Sequence, residues 1–167
     1  MARELLPHGV VYYSEDTHYS VTKALRLLQM RGIKIYSQKN GAMGYGDLRR
    51  ILELHQDTPA IPFANIGTTM KGAIDNLPII QKTLKNLAIS KHYIHCDAAL
   101  SGTILPFVDS AQPFGFDHGA DSLSHQRPQN DWLPLYRAAW CWQSARTSPV
   151  SSQQAGAWNT WAFSTLL

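Results

Sequence analysis

The side chains best placed to do chemistry are one carboxylate, one imidazole and two hydroxyls, each at the end of an apolar run. The carboxylate is Asp97, in His92-Tyr93-Ile94-His95-Cys96-Asp97-Ala98-Ala99-Leu100-Ser101-Gly102. An apolar run that ends on an acid and then on small residues reads as a buried strand delivering one carboxylate to a sheet edge. Ala98 and Ala99 let a flat group approach the backbone, and a carboxylate there can pair with a protonated ring nitrogen and keep it charged. His18 follows the run Gly9-Val10-Val11-Tyr12-Tyr13-Ser14 and can lie face-on against the same ring. Thr68 and Thr69 supply hydroxyls from a third strand end. Each residue also has a plainer reading. A lone strand-end Asp is more often a turn or cap residue, and a lone histidine more often caps or packs.

The elements that must position these groups are legible from periodicity. Residues 3–6 read as the tail of a helix stopped at Gly9, and 9–14 as a strand. Thr17 or Ser20 can cap the next helix, whose Val21, Ala24, Leu25 and Leu28 share one face and which Gly32 stops. Ile33–Ser37 alternates as a second strand. Gly41–Gly46 is a loop; it lacks the spacing of a nucleotide-binding glycine motif. Asp47 leads a helix carrying Leu48, Ile51, Leu52 and His55, and Ala60–Gly67 is a third strand. Asp75 or Asn76 caps a helix with Ile80, Leu84 and Leu87 inward and Pro78 in its first turn. Residues 92–99 form a fourth strand, and 121–124 begin another. Strands alternating with helices of this length predict a mainly parallel, doubly wound α/β sheet, with ligands beyond the carboxyl ends of the strands.

Composition narrows the function classes. The net charge is +3 over 167 residues with no dense basic block, which disfavours nucleic acid. No apolar run has the length of a membrane span, and the N-terminus lacks signal-peptide organisation. Cys96 and Cys141 build neither a disulfide framework nor a metal motif, and His92, His95 and His118 are scattered, so no metal is expected. Cys96, beside Asp97 on the strand, points to the opposite face as a small core residue. Asp109 and Asp117 read as loop acids. The expectation is a cytoplasmic protein with reduced thiols.

Several long motifs then occur together in order: Tyr12–Val21, Ala64–Asn76 and His95–Gly102, continued by Ile104-Leu105-Pro106-Phe107-Val108-Asp109 and Gln112-Pro113-Phe114. Over roughly residues 1–124 the chain resembles the group II amino-acid decarboxylases that use pyridoxal 5′-phosphate (PLP), in particular the bacterial branch acting on histidine. The resemblance implies residues 1–124 as the central part of the large domain of PLP fold type I. It implies Asp97 on the pyridinium nitrogen, Ala99 and His18 on the two faces of the ring, His18 also near the substrate, and Thr68 placing the ring region. The implied parent reaction is L-histidine to histamine and CO2, in a homo-oligomer, dimer or higher. Serine or another amino acid is the alternative substrate, and a pseudoenzyme acting as an interaction protein is the alternative function.

Two departures qualify that resemblance. The family's phosphate-binding segment precedes the helix tail at Ala2-Arg3-Glu4-Leu5, and this chain starts after it. The family's Schiff-base lysine, in a Ser-Gly-His-Lys motif, is absent: its spacing from Asp97 lands on Gln129, and no lysine follows Lys91. All 5 tryptophans lie in the last quarter, and no acid follows Asp131. His125–Pro134 can be encoded by CAT CAG CGG CCA CAA AAT GAT TGG CTC CCC. Read one base later, that spells Ile-Ser-Gly-His-Lys-Met-Ile-Gly-Ser, with its lysine at position 129. The expectation is a reading-frame shift near Ser124, with 125–167 an out-of-frame, irregular or disordered tail that forms no domain. The chain is then expected to bind PLP weakly at best and not to decarboxylate.

Overall fold

In the computed structural model the described residues are 2–125 together with the backbone of 141–144. A short helix, α1 (Ala2–Leu5), leads into β1 (Val10–Ser14), α2 (Tyr19–Leu27), β2 (Arg31–Ile35), α3 (Tyr45–Glu53), β3 (Ala60–Asn65), α4 (Leu77–Asn86), β4 (His95–Asp97), β5 (Ser122–His125) and β6 (Cys141–Ser144). The strand order is β2-β1-β3-β4-β5-β6, with every pairing parallel except β5–β6. The expected mainly parallel α/β sheet is therefore present, closed on one side by an antiparallel strand from residues 141–144. The rest of the segment 126–167, and with it Gln129, lies outside the described residues.

The winding follows from alternation along β1. Val10 and Tyr12 join one buried cluster with Leu48 and Leu52 of α3 and Leu77, Ile80 and Leu84 of α4. Val11 and Tyr13 join another with Val21 and Leu25 of α2, backed by Ala2 and Leu6. A strand buried on both faces reads as a continuous apolar run because successive side chains point opposite ways. Cys96 lies in the α3/α4 cluster, as alternation required, so its neighbours His95 and Asp97 face the α2 side.

The structure corrects the cap and the stop of α2 and the length of the fourth strand, and it decides between the two cap candidates of α4. Neither Thr17 nor Ser20 caps α2; His18 does, its side chain accepting from the Ser20 N–H. Gly32 does not stop α2. The helix ends at Leu27, and Gln29, just past the cap Leu28, takes φ 52°, with Met30 N–H bonded to Leu25 O and Gln29 N–H to Arg26 O. That paired arrangement satisfies the last carbonyls, and a polar residue can occupy its left-handed position in place of glycine. Gly32 instead sits in β2, where an added Cβ would lie 2.6 Å from Leu25 Cδ1 and 2.9 Å from Tyr13 Cε1. At α4 the cap is Asn76, whose side chain accepts from Ile79 N–H, while Asp75 is fully buried. The fourth strand is shorter than expected, three residues, with His92 before it held to Ala60 by an isolated parallel bridge.

Candidate active site

The carboxyl ends of β1, β3, β4 and β5 open onto a cleft of about 710 Å³. Its lining includes His18, Asn65, Thr68, Asp97, Ala99 and Ser124, with Val21, Ala24 and Leu25 of α2 as an apolar wall. The four residues expected to serve the ring, His18, Thr68, Asp97 and Ala99, are thus brought to one cavity from three separate strand ends, those of β1, β3 and β4. Thr69 lines it as well.

Asp97 is half-buried at the end of β4. Its Oδ1 accepts from Ala99 N–H at 3.2 Å and from the Ser124 hydroxyl at 3.2 Å. Both bonds converge on one oxygen, so among the described residues Oδ2 accepts none. A carboxylate with one oxygen tethered and the other spare is oriented yet still able to take a further N–H.

His18 is exposed at the mouth, its ring tilted against Tyr19 at 4.3 Å between centroids. Its Nδ1 lies 2.7 Å from Ser20 Oγ and accepts from Ser20 N–H, which leaves Nε2 as the ring's donor. Thr68 is buried, and its Oγ1 accepts from Ala73 N–H at 3.0 Å. Its hydroxyl therefore also closes the turn after β3, a task the motif by itself did not reveal.

Sequence reasoning missed the polar layer beneath the cleft. Asn65 Nδ2 is shared among Ser14 Oγ (3.1 Å), Thr17 Oγ1 (3.0 Å) and Asp75 Oδ2 (3.2 Å). Asp75 also accepts from Met43 N–H and Asn65 N–H, each at 2.7 Å. Burial pushes the Asp75 carboxyl above its ordinary range despite these N–H donors. The network ties the end of β3 to the turn that carries His18. The signal available was an Asp and an Asn at strand and helix ends, which fits capping equally well. His95 was likewise passed over as one of several scattered histidines.

Residues 1–128 match the pyridoxal-dependent decarboxylase conserved domain. The chain belongs to that family. The histidine decarboxylase of Raoultella ornithinolytica is 50% identical over 125 residues, which is 74% of this chain and 55% of that protein. The histidine decarboxylase of Acinetobacter baumannii is 52% identical over 125 residues, 74% of this chain and 33% of the relative. The chain thus spans between a third and just over half of these curated relatives. Among solved structures, mouse CSAD in its apo form superposes with a TM-score of 0.57 at 26% identity, covering 74% of this chain and 27% of that one. The L-methionine decarboxylase of Streptomyces sp.590 gives 0.63 at 18% identity, covering 71% and 40%, a likeness of fold. A third, rice TDC, was solved with PLP and tryptamine.

The cofactor of this pyridoxal-dependent family is PLP, and the residues present fit its ring half. The test is Asp97: a decarboxylase of this kind needs a carboxylate whose free oxygen can meet the ring nitrogen. Among the described residues Asp97 has that oxygen spare, at the edge of a cleft whose neighbouring residues at 98 and 99 are both alanine. No lysine lines the cleft among the described residues.

Proposed function

We propose that this chain carries the ring-binding part of a PLP-dependent amino-acid carboxy-lyase, that the whole protein's substrate is L-histidine, and that the chain as written does not turn over. One observation carries the reading: Asp97 stands at a strand end with one oxygen tethered and the other spare, inside a cleft that also gathers His18, Thr68 and Ala99. Bound there, PLP supplies an electron sink for the pair left when CO2 departs from the α-carbon. Asp97 Oδ2 would hold the proton on the ring nitrogen. The His18 imidazole would cover one face of the ring, and Ala99 would leave room at the other. The apolar wall of α2 excludes water from that side. Histidine is favoured as substrate by the half-identical histidine decarboxylases.

Silence of this chain is supported by its lysine count: none follows Lys91, and Gln129 occupies the position where the family's spacing calls for one. Residues 1–124 then act as the folded ring-binding unit and 125–167 as out-of-frame translation. The family match ending at residue 128 supports that boundary. The experiment is direct. The purified chain is incubated with PLP and L-histidine, and histamine and CO2 are measured. None should appear, and the visible absorption of a lysine-bound cofactor should be missing. Histamine production refutes the silence, and gene sequence that cannot spell the lysine motif in the shifted frame refutes the frame reading. Decarboxylation of another amino acid by the intact parent, with histidine ignored, refutes the substrate.

A further inference from the structure

We propose that His95 and Ser124 are positioning residues for Asp97. With Ser122 they form a one-way file of hydrogen-bond donors that ends on the Asp97 carboxylate and keeps its other oxygen available to the cleft. The inference deepens, and rests on, the reading of Asp97 as the partner of a ring nitrogen.

The file comes from strand register. β4 and β5 are parallel neighbours with His95 opposite Ser122 and Asp97 opposite Ser124. Residues two apart on a strand share a face, so all four side chains meet on the α2 side of the sheet. Ser122 Oγ lies 2.7 Å from His95 Nδ1, His95 Nε2 lies 3.4 Å from Ser124 Oγ, and Ser124 Oγ donates to Asp97 Oδ1 at 3.2 Å.

Donor inventory sets the direction. An ionised carboxylate only accepts, so the single Ser124 hydroxyl proton goes to Asp97. Ser124 Oγ then has lone pairs to offer and accepts from His95 Nε2–H. A neutral imidazole carries one N–H, so Nδ1 is an acceptor and takes the Ser122 proton. Only one tautomer satisfies all three contacts. Donors aligned head to tail polarise one another, and the last member bears on the carboxylate.

The file works only if His95 stays uncharged, since an imidazolium beside Asp97 would neutralise the charge that a ring N–H needs. The groups around it favour the neutral form. Phe63 of β3 packs against the ring at 4.9 Å between centroids, and β5 presents only hydroxyls. Arg3 and Glu4 of α1, of opposite charge, border the second cavity that His95 also lines. Burial outweighs the attraction of Asp97 and lowers the imidazole to about 4.

The test uses the full chain with ¹⁵N-labelled histidine. NMR should find His95 as a single Nε2–H tautomer, uncharged through the range where an ordinary histidine titrates. S124A, which removes the acceptor of Nε2–H, should give mixed tautomers. A predominantly Nδ1–H imidazole in the wild type overturns the file. The second arm adds millimolar 4′-deoxypyridoxine 5′-phosphate, which has no aldehyde to react with lysines and whose ultraviolet spectrum reports ring protonation. H95F and S124A should weaken its binding about fivefold, the effect of one lost hydrogen bond, and should lower the pH at which the bound ring loses its proton. H95Q, whose amide both donates and accepts, should restore most of both. If D97N alters the bound ring while H95F and S124A do not, the file is refuted and the Asp97 reading stands. If the wild type does not bind the probe, or D97N changes nothing, the Asp97 reading is refuted and the file loses its purpose.

Discussion

Replacing Asp75 by asparagine separates two opposing effects in the layer beneath the cleft. Asp75 is fully buried and accepts three N–H groups: Met43 N–H on Oδ1, and both the backbone N–H and the side-chain Nδ2 of Asn65 on Oδ2. Asparagine keeps one oxygen. It serves best at the Oδ2 position, where two donors converge, and its NH2 then faces the Met43 N–H. A buried donor facing a donor costs about 1–3 kcal/mol. Against this, the substitution removes a buried charge, and the raised carboxyl shows that burial outweighs the N–H donors. A native value above the unfolded 3.8 means that the native state binds more protons in the window between the two, so the wild type loses stability as pH rises through it. Asparagine has no such dependence. The stability gap between wild type and D75N should therefore be widest at the acid end of that window and narrower above it. Urea unfolding at about pH 4 and about pH 8 measures the gap, and amide exchange locates it. The Met43 N–H should exchange faster in D75N while the core of α4 does not. A gap that widens with pH, or an unchanged Met43 amide, refutes this account of the network.

Further outcomes follow from packing and backbone. Leu84→Ala empties a site that is 1% exposed between α4 and the sheet, and thermal or urea unfolding should show a loss of about 2–5 kcal/mol. Gly32→Ala drives a methyl into Leu25 and Tyr13 and should cost roughly 1–3 kcal/mol on the same measurement; wild-type stability would show that α2 can shift freely. Gln29→Gly relieves a left-handed residue just past α2, worth roughly 1–2 kcal/mol, against about 0.5–1 kcal/mol of added glycine entropy, and should raise the urea midpoint by a small net gain.

The relation between sequence and structure differs element by element. β1 was legible because a strand buried on both faces must be apolar at every position, and Val10–Tyr13 are. α4 was legible because Pro78, Ile80 and Leu84 state both its start and its inner face. The end of α2 was misread because Gly32 is the stronger helix-stop signal, yet its role is to make room for Leu25 and Tyr13. The stop itself fell to Gln29, whose residue type does not announce a left-handed turn. Asp97 stood out because a lone acid ends an apolar run. His95 did not, because its meaning depends on which residues of β5 lie opposite, and register is a long-range property.

By itself the sequence determined the parallel α/β alternation, the family and the set of side chains at the strand ends, since each is carried by local pattern: periodicity, a motif, an acid after a buried run. Only the tertiary structure decided that His18, Thr68, Asp97 and Ala99 share one cleft, that Asp97 keeps one oxygen spare, and that Ser122, His95 and Ser124 stand in file behind it. Hydrogen-bond partners across β4 and β5 are 27 or 29 residues apart in the chain, and nothing local states which of them meet.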